Sequence, residues 1–451
     1  MDNTTEKIAR YATSLDHAEL TPGALHGAKQ RIIDTLGCAI GGYRSEPAQI
    51  ACRLAAASSG VPSARVLGSG ASTSMEMAAF ANTVMVRYLD CNDAYVSKGA
   101  GHASDMIPAL MAVAEAHHLS GPDVLTAMVA AYEVFAALAD VVSLMDKGWD
   151  QGVFVVLGTA AGAGRLLGLS REQMGNALAL AVSANIPTRQ TRGGELSMWK
   201  GCATAASARA GLFAALLARE GMTGPTQAFE GRHGVWEQVT GPFQLVQLGA
   251  VDRPWAVERS NLKYFPAEFH AQAPLWAMLK LREKLGAGTV AAINVQIYSA
   301  AYREIGSEPE KWAPRTRETA DHSLPYLLAA ALHDGFISAD TFSESRIADP
   351  RLHETMARIR ITENAEFTRL YPHVMASEIE VVTVNGARYV ERADYPKGHV
   401  RNAMTDADIE TKFMGLCAGL LTPARCSEIL TAVWDLDKIS DIGEVTHLVR
   451  I

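Results

Sequence analysis

The chain has 451 residues, with Lys+Arg 41 against Asp+Glu 49 and a formal net charge of -8. At 48% hydrophobic and 20% charged residues, the composition excludes a disordered or collagen-like chain, and the length suits roughly two to three domains. The acidic balance excludes recruitment of nucleic acid or an anionic membrane by the overall field, so an anionic ligand has to be held by local cations.

The first ten residues include Glu6 and Lys7 and lack both the apolar core of a secretory signal and the acid-poor character of a transit peptide, so a cytoplasmic protein is expected. Thr21-Pro22 predicts a helix start and Gly41-Gly42 its stop. Ser45 predicts the cap of the next helix, which carries Ile50, Leu54 and Ala57. A polar stretch at 87–105 interrupts the apolar helical pattern, which resumes over 106–118 and again from Ser120-Gly121-Pro122 to 142. The apolar run 124–145 approaches spanning length but holds Glu133 and Asp140, which predicts a buried core helix and no membrane span. His117-His118 lacks a metal-site pattern and reads as a surface helix end. Gly158, Gly162 and Gly164 fit neither nucleotide-loop spacing and are read as positions where helices touch. Ser170 with Gln173 has capping-box spacing, and 204–220 reads as an Ala-rich core helix.

Near residue 266 the character changes. Over 290–298, Ile293, Val295 and Ile297 alternate with polar neighbours, the period-two pattern of a half-buried strand. Ile359 and Ile361 repeat it, and 378–392 around Asn385-Gly386 predicts a hairpin with a type I′ turn. Helical segments are predicted at 268–284 and 322–333, and after Pro396 helices return, with caps at Thr405-Asp408 and Thr422-Pro423. The predicted fold is mainly α: a large all-helical domain over 1–265 and 401–451, with an inserted smaller α/β lid domain at 266–400. Six cysteines, at 38, 52, 91, 202, 417 and 426, form no Cys-x-x-Cys pair, which predicts reduced thiols and no metal site.

Five polar islands stand out against these apolar helices. The stretch 87–105 carries Arg87, Asp90, Asn92, Asp93, Tyr95, Lys98, His102, Ser104 and Asp105, the groups needed to move protons and hold an anion. A second at 187–200 brings Arg189, Arg192 and Lys200 with two glycines. A third at 261–272 holds Lys263, Glu268, His270 and Gln272 at the proposed domain boundary. In the fourth, at 320–326, Asp321 is placed to orient His322 ahead of Tyr326. The fifth, at 395–401, offers Lys397, His399 and Arg401. Together they predict one shared cleft.

Seven runs resemble the MmgE/PrpD family and occur in its order: Arg-Ile-Ile-Asp-Thr-Leu-Gly-Cys-Ala at 31–39, Arg-Tyr-Leu-Asp-Cys-Asn-Asp at 87–93, Gly-His-Ala-Ser-Asp at 101–105, Trp-Lys-Gly at 199–201, Lys-Tyr-Phe-Pro-Ala-Glu-Phe-His at 263–270, Asp-His-Ser-Leu-Pro-Tyr at 321–326 and Tyr-Pro-Lys-Gly-His at 395–399. The resemblance implies a homodimer and a cofactor-independent, metal-free site between the domains, with Asp90, His102, Lys200, Lys263 and Tyr326 in it. Two departures are visible: Ala94 stands where relatives often have threonine, and Trp149-Asp150-Gln151 stands where the family commonly has Trp-His-Pro. The 263–272 run looks closer to 2-methylcitrate dehydratases within the family.

The expected reaction is β-elimination of water from a tricarboxylate such as 2-methylcitrate or citrate. It needs a base for the proton next to a carboxylate, an acid for the hydroxyl, and cations for the developing charge. His102 is expected as base or acid, with Asp90 orienting it or sharing its proton. Lys200 and Lys263 are expected on the substrate carboxylates, Arg192, His270, His322 and Asp93 in substrate binding, and Tyr326 as donor to the leaving oxygen. The alternatives are decarboxylation of cis-aconitate, epimerisation of iminodisuccinate, and, from another class, a non-catalytic carboxylate-binding protein.

Overall fold

Small side chains and regular capping explain most of the architecture. The computed structural model describes residues 1–286 and 288–451, and it is mainly α, 57% helical and 10% strand with small sheets only. The chain forms two units. The first comprises 1–190, 201–261 and 405–451, and the second 191–200 and 262–404.

In the first unit the helices include α1 (Asn3–Ser14), α2 (Pro22–Gly42), α3 (Glu46–Ala56), α4 (Met75–Tyr88), α5 (Ile107–Ala116), α6 (Gly121–Ala139), α7 (Gly152–Leu166) and α8 (Arg171–Ala184). Thr21, Ser45, Ser120 and Ser170 each accept a backbone N–H of the first turn, the last two in reciprocal capping boxes with Asp123 and Gln173. Helix α6 is the core element, and 89% of its apolar window is buried inside the protein. It lies against α7, whose glycines make the approach possible: a Cβ at Gly162 would sit 3.0 Å from the Ala127 carbonyl oxygen and 3.1 Å from Ala131 Cβ, both on α6.

Three boundaries differ from the sequence pattern. Helix α2 continues through Gly41 and Gly42 because Gly42 packs directly on the Met85 carbonyl of α4, so these glycines serve close approach and do not stop the helix. Helix α6 ends at Ala139, three residues before 142. The helix expected from 204 starts earlier, as α9 (Trp199–Arg219), with the Ser197 hydroxyl accepting the Trp199 N–H at 3.3 Å.

Short hairpins complete the first unit: β1 (Ser63–Arg65) with β2 (Ser72–Ser74), and β3 (Tyr95–Val96) with β4 (Ala100–Gly101). The second hairpin folds the polar stretch back on itself, pairing Tyr95 with Gly101 and leaving Lys98 exposed at its tip.

The second unit is built on a four-stranded sheet in the order β6-β5-β7-β8, formed by β5 (Val290–Ile297), β6 (Ile359–Glu363), β7 (Ser377–Thr383) and β8 (Arg388–Ala393). β5 and β6 are parallel, and the other pairs are antiparallel. The register sets Ile293 beside Ile359 and Val381, and Val295 beside Ile361 and Ile379, giving the sheet a continuous apolar face. The helix Gln272–Leu285 packs on β7 and β8. The β7–β8 turn is not type I′, since Gly386 has φ +85° while Asn385 is not among the positive-φ residues. Asn385 Oδ1 accepts instead from the Thr383 hydroxyl at 2.5 Å and the Ala387 N–H at 3.3 Å, which bends the loop without a left-handed asparagine.

Candidate functional site

In the first unit the polar stretch is organised by Arg87, the last-turn residue of α4, whose side chain is fully buried. Its Nη1 donates to Asp90 Oδ1 at 2.9 Å and Asn92 Oδ1 at 2.6 Å, and its Nε lies 3.4 Å from Asp105 Oδ2. Asn92 Nδ2 passes the link on to Ser104 Oγ at 2.7 Å and Asp105 Oδ1 at 2.8 Å. One guanidinium thus binds both ends of the loop, as its rigid fork of donors allows. Burial pushes the Asp105 carboxyl up to about 6 against the opposing pull of Arg87 and of the hydrogen bond from Asn92. Asp90 adopts φ +49°, a left-handed conformation that an aspartate tolerates better than most residues.

His102 sits at the far end of this network. Its Nδ1 lies 2.6 Å from the Asp93 carbonyl oxygen, which can only accept, so Nδ1 carries a proton and the neutral ring has its lone pair on Nε2. That Nε2 is 3.8 Å from Asp90 Oδ1. The backbone N–H of His102 donates to Gln151 Oε1 at 2.5 Å. The ring is therefore a base whose tautomer is fixed by the loop and whose conjugate acid faces a carboxylate. The Asp93 carboxylate, expected on the substrate, is fully buried and accepts from the Ser104 N–H and the Tyr132 hydroxyl, both at 2.9 Å, so it braces the loop.

In the second unit the hub is Asp321. Both its oxygens accept from Lys200 Nζ at 2.9 Å, Oδ1 lies 2.6 Å from His322 Nδ1, and Oδ2 accepts from Arg317 Nη1 at 3.1 Å. Burial pushes this carboxyl up, but Lys200, His322 and Arg317 together outweigh it and hold it at about 2. The segment bearing Lys200 is strapped in place by Leu196 N–H on Thr319 Oγ1 at 3.0 Å and Thr316 Oγ1 on the Leu196 carbonyl at 3.0 Å. Arg192 lies upstream on the short turn Arg189–Arg192.

The 263–270 run is tied to the same hub, because the Glu268 N–H donates to the Asp321 carbonyl at 3.0 Å. Gln272 staples this loop with all its amide atoms: Oε1 accepts from the N–H groups of Tyr264 and Phe265, and Nε2 donates to the Phe265 and Ala267 carbonyls. Lys263 is completely buried within it. His270 Nδ1 lies 2.6 Å from the Tyr298 hydroxyl. Tyr326, expected to donate to the leaving oxygen, is fully buried, and its hydroxyl donates to the Thr341 carbonyl at 2.5 Å.

The first unit thus gathers Asp90, Asp93 and His102, and the second gathers Lys200, His322 and Arg317 around Asp321, with the run that bears Lys263 and His270 tied to it through the Glu268 N–H. The pattern of the sequence did not single out Arg87, Asn92 or Gln151 as organising groups. Their signal was the density of hydrogen-bonding side chains in 87–105 and a glutamine opening an apolar helix. Among the described residues, neither unit by itself gathers three His, Cys, Asp or Glu donors within ligating distance of one another.

The first unit thus carries a histidine with a fixed tautomer, and the second a buried ammonium–carboxylate hub. The chain belongs to the MmgE/PrpD family: residues 6–247 match the MmgE/PrpD N-terminal domain and residues 265–436 the MmgE/PrpD C-terminal domain. It is 28% identical over 440 residues to 2-methylcitrate dehydratase of Cupriavidus necator, covering 91% of this chain and 90% of that one. It is 27% identical over 468 residues to human cis-aconitate decarboxylase, covering 99% and 94%. The Escherichia coli K12 2-methylcitrate dehydratase is 27% identical over 397 residues, covering 82% and 81%.

Proposed function

We propose that the protein is a cofactor-independent hydro-lyase that removes water from a tricarboxylate such as 2-methylcitrate or citrate. The observation that carries this reading is the His102 tautomer, since a neutral imidazole with Nε2 basic is the group needed to take a proton from the carbon next to a carboxylate. The electron pair of that C–H bond forms the double bond as the C–O bond breaks, and the hydroxyl leaves as water after receiving a proton. Asp90, 3.8 Å from Nε2, stabilises the imidazolium formed. Lys200 and Lys263 bind substrate carboxylates and offset the charge of the enediolate-like transition state, with Arg192 and His270 supporting. His322, as an imidazolium with its Nδ1–H held on the Asp321 carboxylate, gives its Nε2 proton to the leaving oxygen, the role expected of Tyr326, whose hydroxyl donates to the Thr341 carbonyl.

The names of the relatives support a dehydratase or a decarboxylase, and cis-aconitate decarboxylation is the second reading. The departure at Trp149-Asp150-Gln151, with no histidine, favours dehydration. His102→Gln tests the assignment: kcat/KM on the dehydrated acid falls by about 100-fold or more, and near-wild-type activity would remove His102 from the mechanism.

A further inference from the structure

Gln151 is the residue before α7 and is nearly buried, with its carbonyl anchored in the helix by the Phe154 N–H at 2.9 Å. Its side chain reaches across to the hairpin and accepts the His102 backbone N–H at 2.5 Å. This reach depends on Gly101, because a Cβ there would collide with Gln151 Oε1 and with the Phe135 ring. A backbone N–H can only donate, so the amide presents its oxygen to His102 and its NH2 the other way. Among the described residues no protein acceptor takes that NH2. His102 is thereby clamped at two points, its N–H by Gln151 and its Nδ1 by the Asp93 carbonyl.

We infer that Gln151 positions His102 and donates its amide N–H to a carboxylate oxygen of the substrate. The assignment rests on the proposed reaction for its second half only. A neutral donor at this place holds an anion without adding charge beside the base. Within the first unit, the charged groups around the His102 ring include Asp90 on its Nε2 side, Arg87 behind Asp90, and the buried Asp105 and Asp93 of the same network.

Gln151→Glu keeps an acceptor for the His102 N–H, removes the donor and adds a negative charge. Gln151→Met keeps the length and removes both functions. His102 is followed by histidine-labelled NMR, its signal assigned by its loss in His102→Gln, and citrate binding is measured by calorimetry at pH 7. The expected result for Gln151→Glu is a His102 pKa raised by about one unit with citrate affinity reduced tenfold or more. Gln151→Met is expected to weaken citrate binding and, with the turned-over acid, to lower kcat as well as raise KM. A His102 titration and a citrate affinity both unchanged in Gln151→Glu would overturn the assignment. Should that variant fail to fold, Gln151→Met decides the question through citrate affinity and kcat, and wild-type values of both would overturn it. If the wild-type protein binds no citrate or 2-methylcitrate, the tricarboxylate reading falls, while the His102 titration still decides whether Gln151 positions the imidazole.

Discussion

Lys200 places its ammonium 2.9 Å from each oxygen of Asp321, with both side chains essentially removed from solvent. Such a pair adds little net stability, but breaking a buried pair by removing one partner typically costs ~3–5 kcal/mol, with the loss of Lys200 at the low end because Asp321 keeps Arg317 and His322 as partners. Lys200→Met and Asp321→Asn are each predicted to lower stability by about 3 kcal/mol, and the double variant to lose much less than the sum. Urea unfolding of the four proteins measures this, and strictly additive losses would contradict the coupling.

Asp105 gives a pH dependence of unusual sign. With its folded value near 6 and an ordinary carboxyl near 3.9, the native state keeps a proton through that window that the unfolded chain has released. Stability is therefore lost as pH rises across it, by roughly 3 kcal/mol from this group. Asp105→Asn is predicted to gain on the wild type by about that amount between pH 4 and pH 7, read from urea midpoints at both values. An equal difference at the two pH values would show that Asp105 ionises normally.

His399 works in the other direction. Burial, helped by Arg401, pushes it down to about 4, and its Nδ1 accepts the Arg401 N–H at 3.1 Å. Between ~6.5 and 4 the unfolded chain binds a proton that the native state refuses, so stability falls as pH drops through this range. His399→Asn, which retains an acceptor, is predicted to resist acid better than the wild type by on the order of 2 kcal/mol at pH 4.5, while behaving alike at pH 7.5. Identical acid midpoints would place the acid-labile group elsewhere.

The α6–α7 contact leaves no room for a methyl group. Gly162→Ala would set a Cβ 2.8 Å from Leu110 Cδ2 and 3.0 Å from the Ala127 carbonyl oxygen, and a backbone oxygen inside a helix has little freedom to retreat. A loss of ~1–3 kcal/mol is predicted, visible as a lower Tm. A Tm equal to or above that of the wild type would show the two helices able to separate.

The helices were legible because their signals are local. Thr21, Ser45, Ser120, Ser170 and Thr405 each cap where the pattern places them, since a short oxygen-bearing side chain needs only the next turn of its own chain. Gly41-Gly42 and Asn385 misled for the opposite reason. What those residues do depends on Met85 from another helix and on the hydroxyl of Thr383, and neither shows in a propensity. The polar islands mark where buried hydrogen-bond networks form, yet the partners within them are distant in sequence. Tyr326 is committed to Thr341, Asp93 to Tyr132, and His102 to Gln151, a residue 49 positions away. Arg87 looked like one of several charges in a loop, and only its complete burial between Asp90, Asn92 and Asp105 shows it as the hub.

The most direct test of the central claim is proton NMR of the purified protein incubated in turn with citrate, 2-methylcitrate, cis-aconitate and iminodisuccinate. Dehydration predicts the vinylic or methyl-substituted alkene signal of the cis-aconitate analogue from one of the hydroxy acids, and its loss in His102→Gln. Release of CO2 from cis-aconitate, with neither hydroxy acid consumed, would contradict the account.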